Sequence, residues 1–196
     1  MNKIIVLSAK SASGKDTIMK QLVAEEGFLP CVSHTTRPMR EGEAEGREYY
    51  FVGQQDFIAR KRNDEFVETR TYDTVQGQWF YGMSKDELNG RLEQGHVIMI
   101  LDIKGLLALQ NSIYKDRIIS FYIDVDLKTR IQRSLDRETL TIQNLDECVR
   151  RAKADEEDFK DAHKVCDHVI EPESSYCGKR MILDILTLFM PLCLRR

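Results

Sequence analysis

Residues 2–22, NKIIVLSAKSASGKDTIMKQL, decide the fold. Ile4, Ile5, Val6 and Leu7 form an apolar run without alternation, the pattern of a parallel strand buried on both faces. Small residues fill the stretch from Ser8 to Gly14. Beyond Lys15 the apolar spacing turns helical, with Ile18 and Leu22 four apart and Met19 and Val23 beside them. A strand, a small-residue loop and a helix opened by Gly14 and Lys15 have the layout of a phosphate-binding loop. Backbone N–H groups in such a loop converge on one point, the helix N-terminus adds partial positive charge, and Lys15 adds a full one. The expected ligand is a polyphosphate, held by Ser11, Ala12, Ser13, Gly14, Lys15, Asp16 and Thr17.

The usual spacing of this loop is G-x-x-x-x-G-K-[ST], and the chain departs from it at two positions. Ala9 stands for the first glycine and Asp16 for the hydroxyl residue. A carboxylate at 16 can still ligate Mg²⁺, directly or through water, and Thr17 keeps a hydroxyl near the phosphates. A Cβ at Ala9 is a problem only if the backbone there needs positive φ.

A chain of 196 residues suits one medium domain with small inserted subdomains and a substantial core. A net charge of −3 does not suggest general affinity for nucleic acid, so positive charge that matters must be local. Five cysteines (Cys31, Cys148, Cys166, Cys177 and Cys193) are odd in number and contain no C-x-x-C pair. They indicate neither a disulfide framework nor a zinc site, and the expected location is the reducing cytoplasm. The opening apolar run is below signal-peptide length and serves better as a core strand. The apolar stretch 181–194 is interrupted by Asp184 and Pro191 and is too short to span a bilayer, so no membrane association is expected. Its spacing (Met181, Ile182, Ile185, Leu186, Phe189) predicts an amphipathic helix packed on the sheet. His34, His96, His163 and His168 have no metal-ligand spacing.

Strand and helix alternate along the chain, which predicts an α/β sandwich. Short strands are expected at 49–52, 65–72 and 79–82, with a helix at 56–62. These belong to a segment, about 33–83, that reads as an antiparallel insertion separate from the main sheet. The main sheet resumes at 96–103, an apolar strand containing Asp102 near its end, and continues at 117–123. A charged helical region covers 126–164, and the last strand lies near 168–170.

Within the insertion, residues 33–52 read SHTTRPMREGEAEGREYYFV. Arg37 and Arg40, three apart around Pro38, make a compact pair of forked donors able to grip a phosphate monoester bidentately, and Tyr49 could add a hydroxyl. On charge alone the stretch also reads as a solvated cationic loop balanced by Glu41, Glu43 and Glu45. The full pattern is more specific. Ser33, Thr35, Thr36, Arg37, Arg40, Gly42, Glu43, Gly46 and Tyr49 closely resemble the nucleoside-monophosphate site of guanylate kinases.

The resemblance covers nearly the whole chain, and it implies an α/β three-layer sandwich of the P-loop NTPase type. It adds to the parallel sheet an inserted mixed α/β GMP-binding subdomain (33–83) and a helical lid (126–164), the core being 1–32, 84–125 and 165–196. It implies that Glu68 reads the guanine edge, since a carboxylate accepts from N1–H and the exocyclic amine and adenine offers no such donor pair. Tyr81 and Gly82 match the next family element, whereas Met83 stands where the family has a hydroxyl; Ser84, one residue on, is the substitute candidate. Asp102 matches the family's acidic residue near Mg²⁺ and the phosphates, although a strand-end Asp also serves as a helix N-cap. After it, Ile103-Lys104-Gly105 departs from the family's usual D-x-Q-G and has lost a carboxylate. Arg133 and Arg137 match the first lid arginines and Arg151 the later one, with Arg150 as an alternative. Glu147, Arg151 and Asp155, at four-residue spacing, could instead pair along a helix surface.

The implied reaction is transfer of the γ-phosphoryl group of ATP to GMP, with Mg²⁺ at Asp16 and Asp102. Lys15, Arg40, Arg137 and Arg151 are the implied catalytic residues, and Ser33, Arg37, Arg40, Tyr49, Glu68, Tyr81 and Ser84 the implied acceptor site. Two alternatives remain open. Ribose 1,5-bisphosphokinases share the fold and carry G-K-D-[ST], and guanylate-kinase-like scaffold domains bind peptides without chemistry. The first lacks the complete run at 33–52, and the second typically loses the phosphate loop and lid arginines. The oligomeric state is not legible.

Overall fold

The computed structural model describes residues 1–74, 77–137 and 142–190, without the side chains at 74, 137, 142–144 and 147. In chain order, β1 (Ile4–Ser8) leads into α1 (Lys15–Glu26), then β2 (Leu29–Pro30), β3 (His34–Thr35), β4 (Tyr50–Phe51) and α2 (Gln54–Arg62). The hairpin strands β5 (Phe66–Thr74) and β6 (Gly77–Ser84) follow, then α3 (Lys85–Gln94), β7 (Val97–Ile100) and α4 (Ile103–Gln110). The rest is β8 (Ile118–Ile123), α5 (Leu127–Arg137), α6 (Ile142–Asp158), α7 (Ala162–Val165), β9 (His168–Ile170) and α8 (Ser175–Leu186).

The main sheet has the order β2-β7-β1-β8-β9, and every pairing in it is parallel. The unbroken apolar run of β1 has its reason here, because the strand is central and covered on both sides. Ile4 and Val6 point into a layer shared with Leu88 and Leu92 of α3, Leu106 and Leu109 of α4 and Ala162 of α7. Ile5 and Leu7 point the other way, into a layer with Ile18 and Leu22 of α1 and Ile182, Leu183 and Leu186 of α8. The four apolar β1 side chains are fully buried, and each is worth about 1.5–3 kcal/mol of transfer free energy. Pro30, which cannot donate to a ladder, sits on the edge strand β2.

A second sheet runs β4-β3-β6-β5. Its β3–β6 and β5–β6 pairings are antiparallel, but β3 and β4 are parallel, so the insertion is mixed and not wholly antiparallel. The long connection between those two strands crosses over and returns in the same direction, which a tight hairpin cannot do. The strand expected at 96–103 is shorter, ending at Ile100, because Asp102 caps the helix that begins at Ile103. The charged region 126–164 divides into α5, α6 and α7. The C-terminal apolar spacing lies on α8 up to Leu186, whereas Phe189 falls beyond the helix and is half exposed. Among the described residues no helix is long and apolar enough to cross a membrane.

Candidate active site

The first half of the site lies at the carboxyl end of β1, where ligands of open α/β sheets gather. Gly14, at φ +94°, turns the chain into α1, a left-handed conformation that favours glycine. Ala9 does not share it: its backbone is outside the positive-φ region, and its methyl group is buried in the α1 layer. The departure at the first glycine position is therefore accommodated. The positive φ falls instead on Ala12, at +61°, a conformation that costs an L-residue roughly 1–2 kcal/mol. Lys15 Nζ lies 3.0 Å from the exposed Asp16 carboxylate, Thr17 is exposed, and Ser13 Oγ is buried without a hydrogen-bond partner.

The loop is held from outside by residues that the sequence motifs did not single out for it. The Ser11 backbone N–H donates to Asp155 Oδ2 at 2.8 Å and its hydroxyl to Oδ1 at 3.2 Å. Arg130 Nη1 donates to the same carboxylate at 3.1 Å, and Arg130 Nη2 and Lys10 Nζ both meet Glu156. Asp155 thus turns inward from α6 to the loop, and Arg130 of α5 is buried behind it. Arg133, on the same face of α5, donates to the Ser13 carbonyl at 3.1 Å. Arg151 lines a small open crevice together with Ser11, Ala12, Arg130 and Asp155. Arg150 is exposed on α6. Arg137 is the last residue of α5, and its side chain lies outside the described residues.

The second half is one face of the second sheet and the loop beside it. Arg37 is buried and forks onto Glu43, with Nη1 at 3.0 Å from Oε2 and Nη2 at 2.8 Å from Oε1, while Nη1 also donates to the Pro38 carbonyl. Its guanidinium carbon stands 5.3 Å from the Tyr49 ring centroid. Arg40 is exposed, and its backbone N–H donates to Glu43. Tyr81 meets Tyr49 edge to face at 5.6 Å and Tyr72 at 5.5 Å. Burial, then the neighbouring Tyr81, raises the Tyr49 phenol above its ordinary value, and the field of Asp16 on the phosphate loop adds to that rise. The Asp16 carboxylate of the first half is thus within electrostatic reach of the second.

A register shift between Phe66 and Glu68 re-aims β5. Phe66 stacks on Phe57 of α2, whereas Glu68, Arg70 and Tyr72 point to the N-terminus of α4. Glu68 is buried, and Arg70 forks onto it, Nε at 3.0 Å from Oε2 and Nη2 at 3.4 Å from Oε1. Burial pushes the Glu68 carboxyl above the usual carboxylate range; Asp102 adds to this and Arg70 offsets part of it. Asp102 acts as the N-cap: its Oδ1 accepts from the Gly105 N–H at 2.7 Å, while Oδ2 faces Arg70 Nη1 at 3.5 Å and accepts from the Tyr72 hydroxyl. Met83 lies in the core with its sulfur 3.1 Å from Cys31 Sγ. Ser84 caps α3 by accepting from the Glu87 N–H, which leaves its own proton available, and Ser33 is buried. Gly82 has a packing reason, since a Cβ there would come within 3.0 Å of both Phe57 and Phe66.

The sequence matches the family model for guanylate kinase over residues 1–174. The guanylate kinase of Clostridium tetani is 34% identical over 143 residues, covering 72% of this chain and 66% of that protein. That of Legionella pneumophila is 35% identical over 136 residues, covering 68% of this chain and 63% of that protein. The chain spans a little under two thirds of the length of these relatives. In three dimensions it is similar to the crystal structure of guanylate kinase from Anaplasma phagocytophilum, with a TM-score of 0.70 at 24% identity, covering 98% of this chain and 89% of that one. An uncharacterized protein from Eubacterium ventriosum has the same fold at a TM-score of 0.57 and 15% identity, covering 96% of this chain and 99% of that one. A family match that runs from the first residue to the N-cap of α8 takes in both halves of the site and the helices behind the loop, and by it this chain belongs to the guanylate kinase family.

Proposed function

We propose that the protein transfers the γ-phosphoryl group of ATP to GMP, giving ADP and GDP. The observation that carries this reading is that the chain joins a phosphate loop, turned into α1 at Gly14 with Lys15 beside it, to an arginine- and tyrosine-lined face on which Glu43 already sets the plane of Arg37. A donor phosphate chain on the first and an acceptor phosphate on the second would meet end to end. The acceptor atom is already an anionic phosphate oxygen, so no general base is needed, and catalysis is positioning and charge neutralisation. Lys15 and the amides of residues 11–17 would hold the donor phosphates. Arg40, exposed and unfixed, would close on the acceptor phosphate beside Arg37, whose plane Glu43 already sets, and Tyr49 would add its hydroxyl. Glu68 would accept from guanine N1–H and the exocyclic amine, with Ser33, Tyr81 and Ser84 lining the same acceptor site. Arg151 and Arg137, or Arg150 in place of Arg151, would cover the transferring group and exclude water.

Mg²⁺ fits this reading through Asp16, an exposed oxygen donor beside Lys15 at the start of α1, since this hard cation takes one or two carboxylates and completes its shell with phosphates and water. Bound there it would neutralise charge on the phosphate oxygens. Asp102 would join it only by releasing Arg70 and Tyr72. On the same reading 33–83 is the acceptor subdomain, 126–164 the lid and the remainder the core. The unpaired Cys31, Cys148, Cys166 and Cys177 suit a reducing cytoplasm.

The test is product analysis with ATP, Mg²⁺ and a panel of acceptors. GMP should be converted to GDP well ahead of AMP, CMP, dTMP and ribose 1,5-bisphosphate. Preference for ribose 1,5-bisphosphate would refute the reading, and no turnover of any acceptor together with tight peptide binding would move the protein to the scaffold class.

A further inference from the structure

Arg70, set between Glu68 and Asp102, has no part in the roles above. Arg70 is enclosed by the two carboxylates, by Tyr72 and by the first turn of α4. Gly105 makes room for it: a Cβ there would come within 3.3 Å of Arg70 Nε and 3.4 Å of its Cδ. A guanidinium carries five N–H groups. Nε and one proton of Nη2 are spent on Glu68, and Nη1 can direct one proton at Asp102. Each terminal nitrogen therefore keeps one proton for a further acceptor. Such an unspent pair costs free energy unless something takes it.

Resting on the acceptor reading above, we propose that Arg70 is a specificity-determining residue, donating to the 6-oxo group of the base while fixing the carboxylate of Glu68. The Watson–Crick edge of guanine runs donor, donor, acceptor: exocyclic amine, N1–H, O6. Its complement is acceptor, acceptor, donor, which a carboxylate with a guanidinium at its flank supplies. Adenine presents a bare N1 and a 6-amino group, so it meets an acceptor with an acceptor and a donor with a donor. Met83 at the neighbouring β6 position cannot fill this role, being buried against Cys31 and having no proton to give. The fork onto Glu68 also holds the carboxylate in plane, and the weaker of its two bonds, Nη2 to Oε1 at 3.4 Å, leaves that oxygen to accept from the base beside the donating guanidinium.

Steady-state kinetics with ATP and GMP, IMP or AMP on the wild type, Arg70→Lys and Arg70→Met decide the matter, with thermal melting recorded in parallel. Arg70→Lys keeps a cation between the two carboxylates and guards against a misfolded Arg70→Met. Arg70→Lys should lower kcat/KM for GMP about tenfold or more, chiefly through KM. The same factor should appear with IMP, which keeps the 6-oxo group but lacks the 2-amino group. AMP turnover should not fall, so the GMP to AMP ratio narrows. An equal loss for all three acceptors, or an unchanged ratio with a lowered melting temperature, would make Arg70 a structural tie and overturn the inference while leaving the kinase reading intact. A wild type inert toward GMP would overturn both.

Discussion

Asp155→Ala would remove the carboxylate that joins α6 to the phosphate loop. In the wild type it takes the Ser11 N–H, the Ser11 hydroxyl and Arg130, whose side chain is only 4% exposed. Truncation leaves the buried guanidinium with only the exposed Glu156 as a charged partner, and breaking a buried pair in this way costs up to about 3–5 kcal/mol. For a chain of this size each kcal/mol moves the melting temperature by about 2–4 °C, so the variant should melt roughly 6–20 °C lower. Calorimetry or far-ultraviolet circular dichroism would measure it. A companion variant, Arg130→Met with Asp155→Leu, leaves no unpaired charge and should recover most of the lost stability. Turnover should not recover with it, because the Ser11 amide is still unheld and the loop no longer presents its N–H groups as a set. The reasoning is refuted if Asp155→Ala melts within about 2 °C of the wild type, a span worth less than one ordinary buried pair, or if the double variant is no more stable than the single one.

Lys15→Ala should lower kcat on the order of a hundredfold or more, since a preorganised charge facing developing negative charge is worth several kcal/mol in a water-excluded site. Its melting temperature should hardly move, because among the described residues the amine pairs only with the exposed Asp16; a large thermal loss with normal turnover would contradict the assignment. Glu43→Gln addresses acid stability. Hydrogen bonding from Arg37 holds the Glu43 carboxyl below its ordinary value of 4.5, so its contribution is present above that value and disappears as pH falls through the lowered one. The wild type should therefore lose melting temperature more steeply than Glu43→Gln on acidification below about pH 4.5, and parallel acid limbs would count against this.

What could be read from residues alone divides by distance along the chain. The strand, loop and helix of residues 2–22 were legible because their signals are local: unbroken burial in β1, small residues in the turn, and helical spacing after Lys15. The face of the second sheet was legible only through a family pattern, and its strand directions were misjudged because β3 and β4 meet across a long connection. Asp155 shows the limit most clearly. Its four-residue spacing from Arg151 and Glu147 pointed to pairing on a helix surface, whereas its carboxylate binds Ser11, 144 positions earlier in the chain. Arg70 drew no notice for the same reason, since its meaning depends on Asp102 and Gly105 lying opposite. Ala9 and Ala12 offer a smaller case: the motif drew attention to the missing glycine at 9, and the left-handed backbone lies at 12.

The alternation of β1 between two apolar layers has a bearing on cooperativity. A strand whose odd and even side chains belong to different layers cannot leave one without leaving the other, so displacing β1 opens both helical layers at once. The phosphate loop is tethered at its start to the fully buried central strand, and at its far side to α5 and α6, which among the described residues carry far fewer of those buried apolar groups. Local opening on that far side can then loosen the grip on a nucleotide without any loss of the central strand, giving the chain a soft latch mounted on a hard hinge.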